Sequence, residues 1–123
     1  MYTLDTNAII YYLHDDFDAM AVMQDVLDKN TPVYISTITE IELFGFPRLN
    51  TTEVEQIERM IKTLSVIPVD SRIARLAGEI RKTYGLPIAD SIIAATALFT
   101  GSTLLTRNIR DFKKIQGLIL RTL

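Results

Sequence analysis

The run Pro87-Ile88-Ala89-Asp90-Ser91-Ile92-Ile93-Ala94-Ala95-Thr96-Ala97-Leu98-Phe99-Thr100-Gly101-Ser102-Thr103-Leu104-Leu105-Thr106 contains a helix, its stop and a strand. Proline has no N–H to lose and its φ is already helical, so Pro87 suits a helix start. From Ile88 to Phe99 nearly every residue is apolar or small, leaving no polar face for water, and such a helix must be buried on most sides. Gly101 ends it. Thr103-Leu104-Leu105 then reads as a short strand with Thr106 at its end. Inside this apolar run Asp90 stands alone as a charge.

Working outward, the same alternation continues. Upstream, Asp70 is placed to cap a helix with Ile73, Leu76, Ala77 and Ile80 inward, ending at Tyr84-Gly85, where glycine suits the left-handed position. Val66-Ile67 is a strand before it. Thr52 with Glu55 forms a capping-box pattern ahead of a stripe of Val54, Ile57, Ile61 and Leu64. Thr39 to Phe44 starts a helix broken before Pro47, and Pro32 to Ser36 is a strand. Phe17, Met20, Ala21, Met23 and Leu27 recur at helical spacing, Ala8 to Leu13 is an apolar helical turn, and Tyr2-Thr3-Leu4 is a first strand ending in Asp5. Downstream come a short basic helix or turn over Asn108–Ile115 and a last strand at Leu118-Ile119-Leu120. Strands alternating with helices predict an α/β fold on a parallel sheet. No linker, repeat or low-complexity segment divides the chain, so residues 1–123 read as a single domain. The stripes at Val54–Leu64 and Ile73–Ile80 offer more apolar face than one such domain needs, which predicts a homodimer.

At 48% hydrophobic residues, a 123-residue chain can bury a core. No stretch reaches the roughly 18 uninterrupted apolar residues of a membrane span, and no basic lead precedes an apolar run at Met1-Tyr2-Thr3-Leu4-Asp5, so a cytoplasmic protein without membrane contact is expected. With no cysteine and one histidine, His14, disulfides, thiolate nucleophiles and Cys/His zinc sites are excluded, and any metal must be held by oxygen. His14 reads as a surface or helix-end residue. Residues 1–58 carry eleven acids and two bases, whereas residues 101–123 carry one acid and five bases. The basic end could follow a phosphate backbone or simply solubilise the surface.

In an open parallel sheet, ligands bind beyond the carboxyl ends of the strands, where Asp5 and the Thr106–Asp111 segment fall. Asp90, in the first turn of its helix, gains from free N–H groups there, but amid apolar neighbours it is costly without a cation or hydrogen bonds. Glu40 and Glu42, two residues apart, cannot share one helix face, so one points to a site and the other to solvent. Several carboxylates at strand ends and helix starts suit hard cations such as Mg²⁺ or Mn²⁺, and with them phosphodiester hydrolysis.

Four ordered segments carry a resemblance: Leu4-Asp5-Thr6-Asn7; Ile35-Ser36-Thr37-Ile38-Thr39-Glu40-Ile41-Glu42-Leu43; Leu86-Pro87-Ile88-Ala89-Asp90-Ser91-Ile92-Ile93-Ala94-Ala95-Thr96-Ala97; and Leu105-Thr106-Arg107-Asn108-Ile109-Arg110-Asp111-Phe112. Together they resemble the motifs of the PIN-domain family, especially its VapC-type toxins. The resemblance implies a three-layer fold, a parallel sheet flanked by helices, and a metal-dependent endoribonuclease inhibited by a VapB-type antitoxin. It implies metal ligation by Asp5 and Asp90 and a third acid at Glu42, since Ser36, Thr39, Glu42 and Leu43 fit the second motif. Asp5, Glu42 and Asp90 are then expected to converge within one metal ion's reach. Where many relatives have a carboxylate two residues after the threonine, this chain has Asn108, and the next acid is Asp111. That substitution weakens a second metal position. Thr6, Asn7, Thr106 and Asn108 are expected to orient the carboxylates or meet substrate. Phe44, Phe46 and Leu49 are candidate contacts for an antitoxin segment, which would bring an arginine to the acidic pocket. A haloacid-dehalogenase-type phosphatase wants an aspartate where Asn7 stands, and a receiver-type phosphoacceptor lacks its early acid pair. The alternative from another class is a catalytically silent PIN-like RNA-binding or scaffold module.

Overall fold

The computed structural model describes residues Met1–Leu123. Five strands, β1 (Tyr2–Leu4), β2 (Val33–Ser36), β3 (Ser65–Ile67), β4 (Thr103–Thr106) and β5 (Leu120–Thr122), alternate with seven helices: α1 (Thr6–Leu13), α2 (Phe17–Asp28), α3 (Thr37–Phe44), α4 (Thr51–Ile61), α5 (Ser71–Tyr84), α6 (Ile88–Thr100) and α7 (Ile109–Phe112). The strands form one sheet in the order β3-β2-β1-β4-β5, and every pairing is parallel, for example Leu4 beside Leu105 and Thr106 beside Thr122. The chain thus winds outward from β1 to one edge, then returns to β4 and winds to the other. The order reverses between β1 and β4, and a crevice at their carboxyl ends follows from that reversal.

Two apolar layers sandwich the sheet. One gathers Ile73, Ala77, Ile80, Ile93, Ala94 and Leu104 beneath α5 and α6, and the other gathers Leu4, Ile9, Met23, Ile35, Leu43, Ile57 and Leu105 beneath α1 to α4. Leu104 and Leu105 are adjacent in sequence yet belong to opposite layers, as the two-residue period of a strand requires. Helix α6 is buried on most sides, with Ile93 to Ala97 all inaccessible to solvent.

The sequence expectations differ from the structure in two places. The capping box belongs to Asn50 and Glu53, each bonding the other's backbone, rather than to Thr52 and Glu55; asparagine is as strong a cap as threonine, and it comes first. The last strand lies at Leu120–Thr122 instead of Leu118–Leu120, because Gly117 turns the chain at φ +84° and Leu118 drops into the core while Ile119 faces water. Of the stripes on α4 and α5, Ile57, Ile73, Ala77 and Ile80 are buried in the core, whereas Val54, Ile61, Leu64 and Leu76 keep partial exposure on the faces expected to pair two copies.

Candidate active site

Asp5 follows β1 directly and occupies the N-cap position of α1 without closing a cap bond with its side chain. Its backbone N–H is held by the Leu105 carbonyl of neighbouring β4 at 3.1 Å. Only 5% of Asp5 is exposed, and its Oδ2 accepts a 2.7 Å bond from the Thr106 hydroxyl at the end of β4. Burial pushes the Asp5 carboxyl up, the Thr106 bond pulls it down, and the charge of Glu42 pushes it up again.

Glu42 comes from the other side of β1. Ser36 ends β2 and caps α3 by accepting from the Ile38 N–H at 3.1 Å, which starts the helix at once. Thr39 and Leu43 then turn inward, and Glu42 lies at the margin of the crevice. The Thr6 hydroxyl donates to Glu42 Oε1 at 2.7 Å and lies 3.1 Å from the Thr39 hydroxyl. Of the two glutamates on α3, Glu42 is the one whose charge reaches Asp5 and Asp90.

Asp90 sits in the first turn of α6, half-buried, and its carboxylate makes no hydrogen bond within the protein. Its carboxyl is pushed up to about 6, first by burial and then by the charges of Asp5, Glu42 and Asp111. Like charges disfavour ionisation, so these three acids add to the effect of burial on Asp90. Asp111 reaches it from α7, where the Asn108 side-chain amide donates to Asp111 Oδ2 at 3.1 Å. The Asn108 backbone N–H donates to the Thr106 hydroxyl at 3.0 Å. Asn108 therefore orients the last acid and steadies the hydroxyl that holds the first. Asn7 is exposed on the second residue of α1 and makes no side-chain bond.

The expectation of convergence needs one correction: no three acids stand within reach of a single metal ion. Asp5 and Glu42 are each bonded to a hydroxyl instead, Thr106 and Thr6. The donor chemistry nevertheless fits a hard divalent cation. All the donors are oxygens, and every ion pair in the molecule falls elsewhere, at Glu53, Asp25, Asp70 and Asp16. Four carboxylates left without a basic partner attract a cation, and Asp90, free of hydrogen bonds, can turn toward one.

Two contributors were not singled out as site residues from the sequence. Thr39, named only as part of the second motif, backs the Thr6 hydroxyl, and Arg107 joins the fourth motif to the α1–α2 corner through Asp16 and Tyr11. The first was signalled by its place one turn before Leu43; an ion pair between residues so distant in sequence has no local signal.

Comparison with known proteins gives a consistent picture. A sequence model of the PIN domain matches residues 2–118. Ribonuclease VapC2 of Rickettsia felis is 32% identical over 98% of this chain and 96% of its own length. The crystal structure of VapBC2 from Rickettsia felis bound to a promoter DNA fragment contains a chain that superposes with a TM-score of 0.83 at 26% identity, covering 99% of this chain and 98% of that one. A toxin-antitoxin complex from Klebsiella pneumoniae gives a TM-score of 0.82 at 27% identity, covering 97% and 96%.

Proposed function

The chain belongs to the PIN domain family, and from that premise we propose that it is an endoribonuclease, dependent on a divalent cation, that acts as the toxin of a toxin–antitoxin pair. The observation that supports the reading is that Asp5, Glu42 and Asp111 all act on the Asp90 carboxyl near the switch point of the sheet and that none of the four has a basic partner, although no three stand within one ion's reach. Its relatives are named ribonucleases, and chains like it occur in toxin–antitoxin complexes.

Asp5 and Asp90 are the residues to hold Mg²⁺, with Mn²⁺ as the other candidate and Glu42 and Asp111 lining the same crevice. A bound cation of this kind supplies positive charge at the scissile phosphate and makes water a competent nucleophile near neutral pH. The protein's own part is positional. Thr106 fixes Asp5, Thr6 fixes Glu42, and Asn108 fixes Asp111, so the carboxylates present defined oxygens to the substrate side of the crevice. Asp90, with its raised carboxyl, is the group whose proton is exchanged for a cation most readily near neutral pH.

The test is cleavage of structured RNA by the purified chain. Activity should vanish with EDTA, return with Mg²⁺ or Mn²⁺, and be lost in Asp5→Asn. Products should carry 5′-phosphate and 3′-hydroxyl ends; a 2′,3′-cyclic phosphate would rule out attack by water. A folded chain that binds RNA yet never cleaves it would favour the silent scaffold instead.

A further inference from the structure

Arg107 stands between two residues that serve the crevice, Thr106 and Asn108, yet its side chain leaves in another direction. Its guanidinium bonds Asp16 Oδ1 and stacks on the Tyr11 ring with its central carbon 4.1 Å from the ring centroid. Asp16 is itself fixed, because the same oxygen caps α2 by accepting from the Ala19 N–H at 3.0 Å. The Asp16 N–H donates to the Tyr11 carbonyl at 3.0 Å, and Asp15 before it turns the corner at φ +57°. Tyr11 and Asp16 therefore form a rigid clamp at the end of α1, and Arg107 is the side chain it grips.

We propose that Arg107 is a positioning residue, pinning the segment Thr106–Asn108 to the α1–α2 corner so that Thr106 stays bonded to Asp5 and Asn108 to Asp111. This rests on the nuclease reading above. The segment needs such a pin, because β4 has ended at Thr106, α7 starts only at Ile109, and Asn108 makes no cap bond to that short helix. Held from inside by the two hydrogen bonds and from outside by the clamp, it has one arrangement; held from inside alone, it can swing. Arginine suits the task because its flat guanidinium can stack on a ring and pair with a carboxylate at once, which a lysine ammonium does poorly. The Arg107 and Asp16 side chains are 33% and 32% exposed, and the ring of Tyr11 covers one face of the guanidinium.

The experiment compares Arg107→Ala, Arg107→Lys and Asp16→Asn with wild type in the full-length chain. Asparagine caps a helix as well as aspartate does, so Asp16→Asn removes the charge that pairs with Arg107 while keeping the start of α2. Three readouts are followed: hydrogen exchange of the Asn108 amide, Mn²⁺ binding by calorimetry, and the split between kcat and KM on RNA. Loss of the pin should weaken Mn²⁺ binding by about tenfold, the low end for a lost outer partner of a metal ligand. It should also speed exchange at Asn108 without doing so in β1, and lower kcat with little change in KM. Arg107→Lys should recover only part of each. A rise in KM with unchanged Mn²⁺ affinity would make Arg107 a substrate contact and overturn the proposal, as would variants indistinguishable from wild type. A wild-type chain that binds no Mn²⁺ is a separate failure, that of the metal reading itself.

Discussion

The Thr106 hydroxyl donates to Asp5 Oδ2 at 2.7 Å across 101 positions of sequence. Two motifs at opposite ends of the chain are thereby made one unit, because β1 and β4 lie side by side and end together. Asp5 is buried enough that its carboxylate depends on such a partner, and the bond opposes the upward push of burial.

Thr106→Val should therefore do more harm than its small change in shape suggests. It leaves a buried carboxylate oxygen without its donor, a loss of about 1–3 kcal/mol, and it should weaken cation binding by roughly 10–100-fold. Thr106→Ser, which keeps the hydroxyl, should retain most of both. Thermal unfolding and Mn²⁺ calorimetry read the two effects, and equal behaviour of Val and Ser variants would show the bond to be idle.

Asp90 gives a pH dependence with a definite sign. Its folded carboxyl sits at about 6 against an ordinary 3.8, so the native state binds the proton more tightly than the unfolded chain. Its stabilising contribution is present below about pH 4 and is lost as pH rises through 6. Two units correspond to about 3 kcal/mol, which partial exposure reduces to about 1–2 kcal/mol. Asp90→Asn should thus raise the unfolding midpoint of cation-free protein at pH 7.5, gain little at pH 4.5, and abolish cleavage. Added Mn²⁺ should stabilise wild type more at pH 7.5 than at pH 5. A wild-type midpoint that climbs from pH 5 to 7.5 relative to the variant would contradict this account.

The readable parts of this fold were those governed by local chemistry. The buried run of α6, its glycine stop, the Asp70 cap and the alternation of strands and helices each follow from residues close in sequence. Of the acids, Asp5 and Asp90 stood out by their place at a strand end and in an apolar helix, whereas Glu42 over Glu40 and Asp111 came only from the resemblance to the PIN-domain motifs. The capping box was misplaced by two residues because two patterns of equal strength overlap at Asn50 and Thr52. How the α4 and α5 stripes divide between core and surface was not legible, because only the packed sheet shows how much apolar area it can absorb. Arg107 was missed for the same reason: its partners Tyr11 and Asp16 are brought near only by the assembled sheet.

The two glutamates of α3 should separate cleanly. Glu42→Gln removes a charge that faces Asp5 and Asp90 and should cost cleavage by 100-fold or more, on the order of 3 kcal/mol of transition-state stabilisation. Glu40→Gln should stay within about threefold of wild type, as expected for a side chain outside the crevice. Steady-state cleavage of one RNA by both variants is sufficient, and the reverse ranking would move the site to the other face of the helix.

Inhibition by the antitoxin should depend on an apolar strip next to Glu42. Ile41 and Phe44 are one turn apart on α3 and share a face, and Phe46 follows just beyond Gly45; they are 67%, 43% and 42% exposed. Leu49, expected from sequence to join them, is half-buried against the core under α4, so it is the weaker contact. Aromatic side chains left in water beside an acidic crevice suit a partner that covers them with apolar residues and extends a basic one to the acids. An arginine is the natural choice, because its planar fork pairs with carboxylates bidentately and competes with a cation for them. Phe44→Ala with Phe46→Ala should weaken antitoxin binding by about 30-fold or more, the loss expected when a hot-spot contact worth about 2 kcal/mol is removed. Cleavage by the free toxin should be unchanged, since neither ring lies among the acids, and stability should shift by under about 0.5 kcal/mol, as for other exposed positions. Titration of a cognate VapB-type antitoxin against cleavage by both forms measures the effect. Equal inhibition of the double variant and wild type would place the antitoxin on another surface, and a matching loss of cleavage in the double variant would mean that the strip serves substrate.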